Sequence, residues 1–189
     1  MSITDRPAAK NHRTLQRLHV SAPASFTESV AARYVWAAAR ISLAWVFVWA
    51  FLDKTFGLGH ETPSAKAWID GGSPTEGFLK NTPKGPFAGF YNDLAGLAWV
   101  DWMFMLGLAG IGLALFLGIG MRIAAAAGAL LLVMMWSVVL PPANNLFMDD
   151  HLIYAIVIVG LALVSAGDTI GLGRWWGGTR LVRRLPILK

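Results

Sequence analysis

The stretch that decides the fold is residues 103–140, MFMLGLAGIGLALFLGIGMRIAAAAGALLLVMMWSVVL. The only charged residue in this stretch is Arg122, and Pro141 follows directly after its last residue, Leu140. Each half approaches the ~20 apolar residues that an α-helix needs to cross the hydrocarbon core of a bilayer. Neither half has the alternating pattern of a membrane β-strand, and both are rich in Ala, Leu and Gly. We therefore predict two transmembrane helices, at about 103–121 and 123–140, joined by a tight turn.

Two further apolar segments flank this pair. One covers about 34–52 and is interrupted only by Arg40, and the other covers about 152–172 and is interrupted only by Asp168. The chain is 56% hydrophobic and 14% charged, whereas soluble domains average about 25% charged residues. The sequence therefore predicts an all-α integral membrane protein, in which residues 31–175 form a bundle of four transmembrane helices.

Small residues recur at four-residue spacing within the two central segments. They are Gly110, Ala114 and Gly118 in one segment and Ala124 and Gly128 in the next. Such ridges let helix backbones approach closely in lipid, where van der Waals contact replaces the hydrophobic drive. They predict close packing inside the bundle, and a homo-oligomer contact is the alternative.

The basic residues indicate the orientation of the chain. Twelve of the sixteen Lys and Arg residues fall on one side of the predicted spans, and the other four lie in the loop at about 53–99. Because cytoplasmic segments are enriched in Lys and Arg, we predict that both termini are cytoplasmic, in a bacterial inner membrane. The net charge is +5. The basic residues responsible for it lie beside apolar spans and do not form a stripe on a soluble domain, which argues against nucleic acid as a partner.

The sequence predicts a basic tail at each end of the bundle. Residues 1–30 are polar and mixed, which is typical of a flexible segment, and residues 176–189 form the C-terminal tail. A capping-box pattern at Ser25-Phe26-Thr27-Glu28 predicts that the first helix starts near Thr27. No short apolar core with a small-residue cleavage site precedes residue 34, so we expect no cleaved signal peptide.

The external loop at about 53–99 combines four prolines with many aromatic residues. Ser73-Pro74-Thr75-Glu76 has the pattern of a helix start, with Ser as N-cap and Pro in the first turn. We predict short helices that lie on, or dip into, the outer face of the bundle. The aromatic side chains indicate either a belt at the membrane interface or a lid over a ligand cavity; they are Trp68, Phe78, Phe87, Phe90, Tyr91 and Trp99.

Arg40 and Asp168 need an explanation, because charges inside a bilayer are costly. Counted at about 1.5 Å per residue, the two residues lie at similar depths in the first and fourth spans. We therefore predict an ion pair between them, with Arg122 as a competing partner for Asp168. The alternatives are a site for a substrate or a quinone head group, and an Arg40 side chain that snorkels to the cytoplasmic interface.

A second group of polar residues collects at the outer ends of the spans. Asp149 or Asp150 is well placed to cap the fourth helix, and the excess of polar groups leaves room for a site near the membrane surface. No ligand spacing supports a metal site there. The chain has no cysteine, so we expect neither an iron–sulfur cluster nor a c-type haem. The cluster comprises Asp53, Lys54, His60, Asp101, Asn144, Asn145, Asp149, Asp150 and His151.

Four elements occur in a distinctive order. Arg40 is followed by an apolar run to Asp53-Lys54, and Gly118-Ile119-Gly120-Met121-Arg122 joins the central spans. Asn144-Asn145 with Asp149-Asp150-His151 comes next, and the last element is Ala166-Gly167-Asp168-Thr169-Ile170-Gly171-Leu172-Gly173. Over about residues 35–175 this pattern resembles the DoxX/DoxD family of small bacterial membrane proteins, which implies a four-helix bundle.

The resemblance also implies a function. Some members of that family are the membrane subunit of a thiosulfate:quinone oxidoreductase, and others are membrane partners in redox-defence assemblies. We therefore expect a membrane subunit associated with a quinone-linked oxidoreductase or a redox-defence assembly, with other membrane subunits as partners. Its ligand would be either a quinone or an anionic sulfur substrate, bound near the external loop. The main alternative is a non-catalytic scaffold or assembly factor. A small-molecule transporter is a weaker one, since no span contains an internal Gly/Pro break and no inverted repeat is present.

Overall fold

The computed structural model describes residues 29–189, and all the regular structure in this range is helical. The N-terminal tail and the capping box at Ser25–Glu28 lie outside the described residues. Helix α1 (Val30–Phe56) is capped by Ser29, whose hydroxyl accepts a hydrogen bond from the backbone N–H of Ala32 at 3.1 Å. It ends at Gly57, which adopts the left-handed conformation that glycine tolerates best.

Within residues 29–189, three helices are long and apolar enough to cross a membrane. They are α1, α4 (Ala98–Leu117) and α5 (Met121–Val138). Three of the four predicted spans therefore coincide with helices of sufficient length. Helix α4 ends four residues before the predicted boundary because Gly118 takes a left-handed conformation with φ +73°.

The fourth predicted span, 152–172, was wrong at its C-terminal end. Helix α6 (Asp150–Leu163) has 14 residues, so it rises only about 21 Å, against about 30 Å for a hydrocarbon core. Ser165 then adopts a left-handed conformation with φ 52°, and the chain turns into a short 3₁₀-helix at Ala166–Asp168. Residues 164–172 are apolar enough to resemble a span, but they leave the helical path.

The four apolar helices pack side by side: α1 against α4 and α6, and α5 against α4 and α6. Their shared core includes Phe47, Met105 and Ile158, all nearly or fully buried. As predicted, Gly128 lets two helices approach closely, since a Cβ there would lie 2.5 Å from Ile158 Cδ1. On α4 the close contact lies at Gly112, beside Val48, and Gly110 faces open space.

The loop after α1 folds against the ends of the long helices. It contains 3₁₀-turns at Ser64–Lys66 and Trp68–Asp70, then α2 (Glu76–Asn81) and α3 (Ala88–Leu94). A helix begins near the predicted start, but at Glu76 with Thr75 as its N-cap rather than Ser73. The Ser73 hydroxyl still accepts a hydrogen bond from the Glu76 N–H at 3.1 Å. Buried side chains of the loop join the end of α5 in a small second core, formed by Leu79, Tyr91 and Val138.

The C-terminal segment is folded as well, although the sequence predicted a tail from residue 176. It forms α7 (Gly173–Gly177), α8 (Arg180–Arg184) and a 3₁₀-turn at Pro186–Leu188. The indole N–H of Trp176 donates to the carbonyl of Leu188 at 2.6 Å, and the backbone N–H of Arg122 donates to the carbonyl of Lys189 at 3.0 Å. These bonds dock the segment under the turn between α4 and α5.

The packed helices have two ends, which we call the loop end and the Arg40 end. The loop end contains residues 57–97 and 139–149. The Arg40 end contains the turn at 118–120 and residues 164–189.

Candidate functional site

At the Arg40 end, the guanidinium of Arg40 is bonded to backbone carbonyls of two separate segments. Its side chain is fully buried. Nη1 donates to the carbonyls of Leu115 at 2.6 Å and Phe116 at 3.2 Å. Nη2 donates to the carbonyls of Ile170 at 2.5 Å and Thr169 at 3.4 Å. Arg40 therefore joins α1 to the last turn of α4 and to the loop that follows α6.

The predicted ion pair between Arg40 and Asp168 is wrong. The Asp168 carboxylate lies 3.3 Å from Lys189 Nζ, while Arg122 donates from Nη1 to the carbonyl of Pro186 at 3.0 Å. The physical reason is that α6 ends at Leu163, so the chain turns Asp168 toward the C-terminal segment. Snorkelling is excluded too, because Arg40 is not exposed.

The positive charge of Arg40 is compensated by carbonyl dipoles. The last carbonyls of a helix have no partner within the helix and carry partial negative charge. Arg40 satisfies two of them on α4 with a planar group that has several donors in fixed directions. Among the side-chain nitrogen and oxygen atoms of the described residues, only Arg40 Nε is buried without a hydrogen-bond partner. The arrangement is a structural clamp that leaves most of the guanidinium unavailable to a ligand.

Glycines surround this clamp because side chains would collide with it. A Cβ on Gly118 would lie 2.6 Å from Arg40 Nη1, and one on Gly167 would lie 2.3 Å from the carbonyl oxygen of Gly118. Next to them, Ile170 has φ 49°, which is rare for a β-branched residue. The two glycine-containing motifs of the sequence thus meet in space, and the space they leave is filled by the guanidinium.

At the loop end, the predicted polar cluster separates into several structural contacts. Asp53 is 2% exposed, and its carboxylate accepts hydrogen bonds from the backbone N–H groups of His60, Glu61 and Thr62 at 3.2, 3.1 and 2.9 Å. It therefore fixes the first turn of the loop. Lys54 Nζ lies 3.5 Å from the Glu61 carboxylate.

Asp101 anchors the middle of the same loop. Its Oδ1 accepts from the hydroxyls of Ser73 at 3.0 Å and Thr75 at 2.6 Å, and from the backbone N–H of Thr75 at 3.1 Å. A buried carboxylate that accepts several hydrogen bonds is well stabilised. Asp53 on α1 and Asp101 on α4 thus hold the loop against the helices.

Asp149 is the N-cap of α6, as predicted for either Asp149 or Asp150. Asp149 Oδ1 accepts from the N–H of Leu152 at 3.1 Å, and its Oδ2 lies 2.7 Å from His151 Nδ1. Asp150 completes a group of three potential metal ligands within 4.8 Å of one another. Both oxygens of Asp149 are occupied by protein groups, so capping accounts for this geometry. Asn144 and Asn145, which precede this group in the sequence, are exposed.

His60 belongs to a different grouping, which the sequence did not reveal. Its ring lies 5.0 Å from that of Trp49 at 75°, and Trp49 lies 5.8 Å from Trp45. Trp45 is 53% exposed on α1, and Trp49 is half-buried. We call these three residues the aromatic lane. The four-residue spacing of the two tryptophans on one helix was the available signal; the position of His60 depends on the turn fixed by Asp53.

Comparisons with known proteins give no match: no family model matches the chain, and neither a curated protein nor a solved structure shows significant similarity to it. The likeness to the DoxX/DoxD family therefore rests on the motifs alone.

Proposed function

We propose that the chain is the membrane subunit of a quinone-linked redox or redox-defence assembly of the DoxX/DoxD type. It has four membrane helices, with both termini on the cytoplasmic side of a bacterial inner membrane. Three apolar helices of spanning length support the membrane location. The excess of Lys and Arg in residues 1–40, 122 and 174–189 supports the orientation. In this proposal α6 (Asp150–Leu163) is the fourth membrane helix.

The aromatic lane is the observation that carries the quinone assignment. A quinone head group is a flat ring with two carbonyl acceptors on an apolar tail. Indole faces offer stacking surfaces to such a ring, and an imidazole N–H is a suitable donor to its carbonyl. Trp45 is exposed on the side of α1, where a lipid-soluble molecule can reach it, and the lane leads from there to His60.

The polar groups of the described residues support dependence on a partner for the electron transfer. The three acidic residues Asp53, Asp101 and Asp149 are engaged in holding the loop end together, and Arg40 is engaged in holding the other end. The chain contains no cysteine to ligate a cluster or form a redox disulfide. In this proposal the chain positions the quinone, and a partner subunit supplies the electrons.

The second candidate function is a non-catalytic scaffold or assembly factor for other membrane proteins. Exposed apolar side chains along α4 favour it, since a helix face that meets lipid can also meet another helix. Examples are Met103, Leu106 and Leu113, each more than half exposed. In this case the partner would bind stoichiometrically and no quinone would be present.

One experiment separates these functions. The full chain is purified in mild detergent from its native membrane, and bound quinones and co-purifying proteins are measured by mass spectrometry. A quinone that is retained by the wild type and by W99L, and lost in W49L and H60A, would support the quinone assignment. Trp99 is a matched control because it is exposed at the start of α4. A stoichiometric partner without quinone would support the scaffold, and a chain with neither would contradict both.

A further inference from the structure

The Arg40 end contains an open cleft whose chemistry the clamp does not use. Its volume is about 350 Å³, within the roughly 300–1,000 Å³ range of small-molecule sites. It lies between the first turns of α1 and the loop that follows α6. Its lining residues include Arg33 and Trp36 from α1, Thr169 from the loop, and Arg174 from α7. We propose that this cleft binds the phosphate group of an anionic phospholipid.

The charge of the cleft favours an anion. Asp168 is its one acidic lining residue, and the Asp168 carboxylate is paired with Lys189. Arg33 and Arg174 are both exposed, and within residues 29–189 neither has a carboxylate within ion-pair distance. Among the described residues, the cleft is thus lined by two arginines whose charge no carboxylate compensates. Arginine is suited to phosphate oxygens because its donors form a planar fork.

Arg33 is already oriented toward the cleft by a polar contact. Its Nε donates to the Thr169 hydroxyl at 3.4 Å, which leaves the two terminal nitrogens of the fork for a phosphate. Thr169 itself belongs to the loop whose carbonyl is held by Arg40. The clamp therefore gives the cleft a fixed wall, and α1 supplies one arginine to it while α7 supplies the other.

The surroundings favour a lipid over a free anion. Val164 lines the cleft, and further exposed apolar side chains follow close by in the sequence, at the end of α6, on the following loop and on α7, where acyl chains can pack. Tryptophan beside such a surface is typical of the membrane–water interface. These side chains are Leu163, Val164, Ile170, Leu172 and Trp175, exposed by 79%, 37%, 59%, 46% and 66%.

A lipid in this position would bridge α1 and the C-terminal segment. Its phosphate would contact Arg33 on one side and Arg174 on the other, and these residues are far apart in sequence. The site is independent of the proposed quinone function, because it lies at the opposite end of the helices from the aromatic lane. Bound lipid would stabilise the docking of α7 without taking part in redox chemistry.

The test is native mass spectrometry of the full chain released from nanodiscs that contain phosphatidylglycerol and phosphatidylcholine. We expect the wild type to retain one phosphatidylglycerol, and R33Q/R174Q to bind it roughly 25-fold more weakly, from about a fivefold contribution per arginine. R180Q/R183Q removes two exposed arginines outside the cleft and should behave as the wild type. Circular dichroism shows whether each variant is folded.

Three outcomes would overturn the proposal. Equal retention by R33Q/R174Q and the wild type would show that the cleft does not hold the lipid. An equal loss in R180Q/R183Q would show attraction by net charge alone. Displacement of the lipid by millimolar inorganic phosphate would identify a site for the free anion, whereas we expect phosphate not to compete because it lacks acyl chains.

Discussion

Arg40 Nη1 lies 2.6 Å from the carbonyl oxygen of Leu115, deep between α1 and the last turn of α4. The partner of this buried charge is thus a backbone group, and the same is true of its other three acceptors. Two helices and the loop after α6 are joined through one side chain. The relationship assigns Arg40 to the stability of the fold.

Replacing Arg40 with Leu should strongly destabilise the protein. Four carbonyls would lose a donor, one of them in a fully buried bond and three in partly buried ones, which we expect to cost about 3 kcal/mol. R40K should have an intermediate effect, since an ammonium group retains a charge and three donors but not the planar fork. Thermal unfolding in detergent, followed by tryptophan fluorescence, would measure both variants. A melting temperature of R40L equal to that of the wild type would contradict the clamp.

Asp168 should couple to Lys189 and not to Arg40. Because the pair is partly exposed, D168N should cost at most about 1 kcal/mol. A double-mutant cycle of D168N with K189Q should give a measurable coupling energy. The cycle of D168N with R40Q should give none, and a large coupling there would restore the intramembrane ion pair that the sequence suggested.

Gly118 should tolerate no side chain, whereas Gly110 should accept one. G118A brings a Cβ to 2.6 Å from Arg40 Nη1 and places alanine at φ +73°, so we expect a loss on the order of 2 kcal/mol. G110A is the matched control, because a Cβ there meets nothing within 4 Å. Unfolding in the same detergent measures both variants. Equal stability of the two would argue against the tight packing around the guanidinium.

Asp53 should control the order of the turn that positions His60. D53A removes the acceptor of three backbone N–H groups, so the amides of residues 60–62 should exchange with solvent much faster. Hydrogen–deuterium exchange resolved by peptide would detect this change. D70N, at an exposed acid of the same loop, should leave the exchange unaltered. Unchanged protection in D53A would mean that the turn is held by other contacts.

The sequence predicted the features that depend on residue type and spacing. Hydropathy located α1, α4 and α5, and the capping rules located Asp149 and the approximate start of α2. It could not predict the partners of Arg40, since backbone carbonyls are present at every position and only the tertiary fold selects among them. Charge alone therefore suggested Asp168 as the partner of Arg40, because it is the acidic residue whose predicted depth in the membrane is most similar.

Two other features depended on local conformation that hydropathy does not report. Residues 164–172 are apolar, so nothing in their composition marks the left-handed Ser165 that ends the fourth helix early. The C-terminal segment is basic, which suggested a solvated tail. Its docking depends on a few specific bonds, such as that from the Trp176 indole to the carbonyl of Leu188. The sequence did not predict the aromatic lane for a similar reason. Its third residue, His60, reaches Trp49 only because the turn after α1 folds back on the helix.

The central claim is that a quinone binds at the aromatic lane and not around Arg40. Its most direct test is photolabelling of the full chain in membranes with a photoreactive quinone analogue, followed by peptide mapping. We predict that the label attaches to residues 45–60, around Trp49 and His60, and that excess unlabelled quinone prevents it. Labelling at the opposite end, around Arg40 and Asp168, or labelling that unlabelled quinone does not reduce, would contradict the account.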